Sequence, residues 1–261
     1  MRGRPAWNRR NFPPGSGRDP RKNILSGVKA MKRKMILIGG GDLREKETLA
    51  IDSFIAAQAK EHAGERRACG LFIPTASHDH MPYYNSFHKI YTGLFDIKTD
   101  VALTLNVKYP IEKMRGKFEK ADFLYVGGGD TVFMLESWKQ TGLQELIRDA
   151  YHRGVIICGL SAGAICWFET MYSDSVVEDE YALYPGLGWL KGCVSPHYNQ
   201  RVRDFDEILL SERRTAWGIE NNAALLFENE ETAGAVCAGG NVYRLDGTDG
   251  VEVRKIQYNK G

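Results

Sequence analysis

The stretch VIICGLSAGAICWF, residues 155–168, decides the fold. Its first half is aliphatic without polar interruption, as expected of a strand buried on both faces of a sheet. The run then breaks on Ser161, with Gly159 two places before it and Gly163 two places after. A strand that only fills a core has no use for that spacing. At a sharp strand-to-helix turn the backbone crowds itself, so the neighbours of the central residue must be small, as Gly159, Ala162 and Gly163 are. The central side chain is lifted clear of the sheet edge. This is G-x-S-x-G between strand and helix, the arrangement that exposes a nucleophilic serine. The amides opening the next helix point to the same spot, where the Ala162 N–H could meet a developing oxyanion. The plainer reading is a tight turn whose serine caps a helix; the strand before and the helix after favour the nucleophile.

The surrounding chain repeats the pattern. KMILIGGG (34–41), CGLFIPTAS (69–77) and FLYVGGG (123–129) are apolar runs that end in turn residues. Between them, residues 47–61, MPYYNSFHKIYTGLF (81–95), 131–141 and 143–153 carry apolar residues at helical spacing, and IKTDVALTL is extended. Strands alternating with helices predict a mostly parallel sheet with helices on both faces. After about residue 213 the pattern changes to short strands separated by turn residues: TAWGIE, AALLFE, TAGAVCA, NVYRLD and VEVRKI. They read as hairpins that continue or edge the sheet.

The 261 residues carry a net charge of +2, unevenly spread. Residues 1–34 hold eleven Lys/Arg and one acid, leaving 24 basic and 32 acidic residues beyond. The first 34 residues, rich in Arg, Pro, Gly and Ser, are expected to be a disordered basic tail, and residues 35–261 a single α/β domain. Such a tail could touch nucleic acid, but a dispensable extension is favoured and no nucleic-acid partner is expected. No apolar run is long enough to cross a membrane as a helix. The five cysteines form no C-x-x-C pair, and four of them (Cys69, Cys158, Cys166, Cys193) lie in apolar surroundings, as reduced thiols of a cytoplasmic protein would. There is no H-E-x-x-H, and His78 and His80 have only Asp79 beside them, so neither metal nor other cofactor is expected.

A serine nucleophile needs a base. Of six histidines, His197 in GCVSPHYNQ stands just past a short apolar strand, where active-site groups of open α/β sheets gather. His62 and His152 lie in polar helical stretches, and His78, His80 and His88 follow the second strand. A carboxylate should orient the imidazole. Two compete: Asp174 in MYSDSVV, and Glu220 in WGIENNAALL, the latter better placed at a strand end. The glycines of LYVGGGDT match no phosphate-binding fingerprint. They are better read as supplying a second oxyanion donor, from an N–H at Gly128 or Gly129.

Together, VGGGDT, GLSAGA, SPHYN and WGIENNAAL resemble the peptidase E family of serine peptidases, which includes aspartyl dipeptidases and cyanophycinases. The resemblance spans about residues 35–245. It implies a flavodoxin-like sheet akin to class I glutamine amidotransferases, Ser161 as nucleophile, His197 as base and an acid at Asp174 or Glu220. It places oxyanion donors around Gly129 and Ala162. It also implies a basic residue past the histidine that holds a substrate carboxylate, here Arg201 or Arg203. Asp130 stands where the dipeptidases carry Asn, and HYNQRVRDFDE departs from their pattern, so an acidic P1 residue is not expected. The expected function is hydrolysis of short peptides, and the chain could form a homodimer. An α/β-hydrolase esterase would also use G-x-S-x-G, but its histidine comes late in the chain and none follows His197. A flavodoxin-like binding module without catalysis is the third reading.

Overall fold

The computed structural model describes residues 32–105, 111–177 and 180–256. The first half alternates as its periodicity predicts: β1 (Lys34–Ile38), α1 (Leu49–Ala63), β2 (Cys69–Ile73), α2 (Met81–Gly93), β3 (Lys98–Val101), α3 (Ile111–Lys120), β4 (Phe123–Val126), α4 (Thr131–Thr141), α5 (Leu143–His152), β5 (Ile156–Leu160) and the one-turn α6 (Ala162–Ile165). There follow β6 (Phe168–Val177), β7 (Glu180–Pro185), β8 (Leu190–Ser195), α7 (Tyr198–Glu212), β9 (Thr215–Ile219), β10 (Ala223–Glu228), β11 (Glu231–Cys237), β12 (Val242–Asp246) and β13 (Glu252–Lys255).

Two sheets result. The larger runs β11-β10-β1-β5-β4-β2-β3. Its β1, β5, β4, β2 and β3 are parallel, and the β10–β11 hairpin is added antiparallel to β1. Side chains along each strand alternate between two cores. Ile36, Ile38, Phe72, Tyr125 and Cys158 face α1 and α2 through Ile51, Ile55, Phe87 and Tyr91. Met35, Leu37, Leu71, Leu124 and Ile157 face the other way, towards Phe118, Trp138 and Ile147 of α3, α4 and α5. Both faces of the central strands are covered, hence their unbroken apolar runs.

The second sheet, β13-β12-β9-β8-β6-β7, corrects one expectation. Only β10 and β11 edge the main sheet; β9, β12 and β13 do not. They join β6–β8 in a layer whose Phe168, Met171, Val194, Trp217 and Ile219 pack into the same core as α3–α5. The outer face of this layer is covered by Phe205 and Leu209 of α7. Short half-buried strands carry no mark of which sheet they will join, because that choice depends on non-local packing.

Of the expected tail, only Lys32–Lys34 are described. Residues 1–31 lie outside the described part, but Lys32–Lys34 belong to the fold. The Arg33 guanidinium reaches both carboxylate oxygens of Glu230, at 2.9 and 2.6 Å, and the Tyr151 hydroxyl donates to the same group. Lys32 pairs with Glu228. Cys69, Cys158, Cys166 and Cys193 are buried free thiols, and Cys237 is exposed. Among the described residues no helix is long and apolar enough to cross a membrane.

Candidate active site

The carboxyl ends of β1, β4 and β5 meet those of β8 and β9 at one place, and Ser161 stands there. Its backbone has φ 52° and ψ −111°, a conformation L-residues rarely adopt, so the turn is strained. What imposes it is visible around it. The Ser161 N–H donates to Ile38 O at 2.9 Å, and its carbonyl accepts from Ala164 and Ile165 at 2.8 and 3.0 Å. A Cβ on Gly159 would overlap the carbonyl of Gly163, and one on Gly163 would overlap that of Val126. Both glycines are required by backbone-to-backbone contact. The helix that follows is a single turn, so its amides, rather than a long macrodipole, supply positive charge.

The Ser161 hydroxyl is 2.8 Å from Nε2 of His197. His197 also has positive φ, at 50°, and precedes the first turn of α7. Its Nδ1 lies 2.6 Å from Oδ1 of Asn221. Here the structure departs from the carboxylate expected behind the base. Glu220 points elsewhere: its Oε2 accepts from the Asn241 N–H and side-chain amide at 2.8 and 2.9 Å, and its Oε1 from Tyr243 at 3.4 Å. Both residues lie in the turn that follows β9, and there Asn221 faces His197 while Glu220 faces Asn241 and Tyr243. Asp174 interacts with Tyr181 and acts on His197 through its charge. The His197 pKa is held below its ordinary value, mainly by burial; the Asn221 bond and Asp174 oppose this, and Arg201 adds to it.

The glycines Gly39–Gly41, which match no nucleotide motif, prove to be the hub of the site. Gly39 O accepts from the His197 N–H at 3.0 Å, and Gly40 O from the Asn222 N–H at 2.9 Å. One loop thus ties together the strand ends carrying Ser161, His197 and Asn221. Sequence reasoning missed Asn221 and this hub; the only signal was GGG at a strand end.

The other candidates separate. A side chain on Gly128 would lie 3.4 Å from the Ser161 Cβ, so this loop borders the hydroxyl. The Gly128 N–H is already engaged by the Tyr83 hydroxyl at 3.3 Å. The N–H groups of Gly129 and Ala162 have no acceptor among the described residues. Asp130 caps α4, accepting from the Phe133 N–H at 2.9 Å. Arg201 lies 4.2 Å over the Tyr181 ring and near enough to His197 to act on its charge. Arg203 is removed from the site: it is exposed and pairs with Glu207 one turn along α7. His62 is half-buried and bonded to Asp122, not a free surface group. Among the described residues no group of three His, Cys, Asp or Glu side chains could hold a metal ion.

A buried-strand elbow presenting a serine to an imidazole is the arrangement of an acyl-transfer enzyme, and comparison with known sequences specifies which. The profile of Peptidase family S51 matches residues 35–235. The chain belongs to peptidase family S51. It is therefore a serine-type peptidase, a hydrolase of peptide substrates. It is 32% identical over 221 residues to the uncharacterized peptidase YgaJ of Bacillus subtilis (strain 168), covering 82% of this chain and 92% of that one. The uncharacterized peptidase Lin0382 of Listeria innocua is 30% identical over 181 residues, covering 61% and 80%. The same fold is seen in a crystal structure of a peptidase from an acI-B1 Actinobacterium, with TM-score 0.69, 18% identity, and 88% and 96% of the two chains covered. A putative peptidase E protein from Listeria monocytogenes EGD-e aligns with TM-score 0.59 and 21% identity over 79% and 98%.

Proposed function

We propose that this S51 peptidase cleaves short peptides through an acyl-enzyme on Ser161, with His197 as general base. The observation that carries the reading is the 2.8 Å contact between the Ser161 hydroxyl and His197 Nε2 at a strained elbow. As Oγ bonds to the peptide carbonyl carbon, Nε2 takes its proton. The carbonyl oxygen becomes an oxyanion, met by the N–H groups of Gly129 and Ala162. The imidazolium then gives its proton to the leaving amine as the C–N bond breaks. Water repeats the sequence on the ester, releasing the acid and restoring the serine.

The preference for short peptides rests on the resemblance to the peptidase E family, which includes dipeptidases. Arg201, braced on Tyr181, is the group that would meet a substrate carboxylate; Asp130, engaged in capping α4, would weaken binding of an acidic residue nearby. The test is a peptide panel read by mass spectrometry, with wild type and Ser161→Ala side by side. Release of an N-terminal residue or dipeptide by wild type alone supports the reading. Equal turnover by both proteins, or turnover of esters and no peptide, refutes it.

A further inference from the structure

We propose that Trp167 is the positioning residue of the nucleophile elbow: its indole N–H holds the Gly163 carbonyl, fixes the one-turn helix α6, and so sets where the Ser161 hydroxyl and the Ala162 N–H stand. The proposal rests on the reading of Ser161 as nucleophile.

A helix of four residues cannot satisfy its own carbonyls. Ser161 O accepts from Ala164 and Ile165, and Ala162 O accepts from Cys166 at 3.3 Å. In a continuing helix the next oxygen, Gly163 O, would receive the backbone N–H of residue 167. The chain instead turns away into β6, and no backbone N–H among the described residues reaches Gly163 O. The side chain of that same residue replaces it: Trp167 Nε1 donates to Gly163 O at 2.8 Å. The Cys166 thiol, 3.7 Å from this oxygen, is a weak donor and no substitute.

The elbow turns on this carbonyl. The Gly159 backbone lies directly against it, since a Cβ there would overlap the Gly163 carbonyl. It is thus held between the end of β5 and the indole. Ser161 keeps its positive φ only while α6 stays seated, because its own carbonyl is bonded into that turn. The indole has little freedom to move. Trp167 is fully buried, with its ring centre 5.8 Å from that of Trp138 and 5.1 Å from that of Trp189. Its carbonyl accepts from the N–H groups of Trp189 and Leu190 at 2.8 and 2.9 Å. Ring and backbone are both anchored, and the bond to Gly163 carries that anchorage to the serine.

The test compares Trp167→Phe with Trp189→Phe. Both trim a ring from the same aromatic group, but only the first removes the donor to Gly163 O. At a temperature where circular dichroism shows both folded, Trp167→Phe should lower kcat on the order of 10-fold, because a small displacement of a reacting group is costly. KM and the pH profile should change little, and labelling of Ser161 by a fluorophosphonate should slow in step with kcat. Trp189→Phe should match wild type in kcat and labelling. A folded Trp167→Phe with wild-type kcat and labelling rate, or equal losses in the two variants, overturns the proposal and leaves Trp167 a packing residue. Full turnover by Ser161→Ala overturns the underlying peptidase reading instead. Should Trp167→Phe not fold, nitrogen NMR of wild type decides: a slowly exchanging Trp167 indole N–H that shifts when Ser161 is labelled supports the role, and one that exchanges freely or ignores the adduct overturns it.

Discussion

Gly40 lies directly against the imidazole of His197: a Cβ there would overlap His197 Nδ1 and its partner atom on Asn221. Gly40→Ala should therefore leave a folded protein with a displaced ring. A displacement of about 1 Å in such a site costs on the order of 10²-fold in rate. Steady-state kinetics beside circular dichroism will check this; unchanged kcat would show that the ring has slack.

The elbow glycines should behave differently from glycine elsewhere. Gly159→Ala and Gly163→Ala press a methyl onto backbone carbonyls and should each destabilise by about 1–3 kcal/mol or more. Gly116, within α3, has nothing within 4 Å of its missing Cβ, and Gly116→Ala should stabilise by about 1 kcal/mol through helix propensity. Urea unfolding of the three variants separates the two cases, and a stabilised Gly163→Ala would contradict the described turn.

Burial, assisted by Arg201, lowers the His197 pKa. The base works only when neutral, so activity should persist below the pH at which an ordinary histidine, near 6.5, titrates. Removing the cation in Arg201→Gln should raise that pKa and move the acidic limb of kcat/KM upwards. A limb that moves downwards would reverse the assigned sign.

Asp52 is buried in the first turn of α1, accepting from Thr48 and Tyr91 at 2.8 Å each, and burial raises its pKa from 3.8 to about 6. A raised pKa means stability that is full below about pH 4 and lost as pH rises through about 6. The gap corresponds to on the order of 3 kcal/mol. Asp52→Asn should flatten the dependence of stability on pH between 4 and 7, measured by denaturant unfolding at each pH. An unchanged slope would place the titration elsewhere.

The parallel sheet, its helices and the elbow were legible because each rests on local pattern: continuous apolar runs, helical spacing, and glycines flanking a serine. His197 was legible as a residue just past a strand. The partner at Nδ1 was not. In WGIENNAALL the acid Glu220 precedes the amide Asn221, and chemical expectation favours the acid; only the opposite directions their side chains take in the turn after β9 distinguish them. The role of Gly39–Gly41 was hidden for a related reason. Their partners, His197 and Asn222, lie far along the chain, and a glycine that serves a distant contact looks like any turn glycine. The second sheet was hidden because β9 and β10, four residues apart, diverge into different sheets.

The central claim is that Ser161 is the nucleophile activated by His197, and covalent labelling tests it most directly. The protein should be treated with a serine-directed fluorophosphonate, digested and sequenced by mass spectrometry, with His197→Ala in parallel. The account predicts one adduct, on Ser161, with loss of peptidase activity in step, and far slower labelling of the His197→Ala protein. An adduct on a different residue that abolishes activity, or labelling of Ser161 at the same rate without His197, would contradict it.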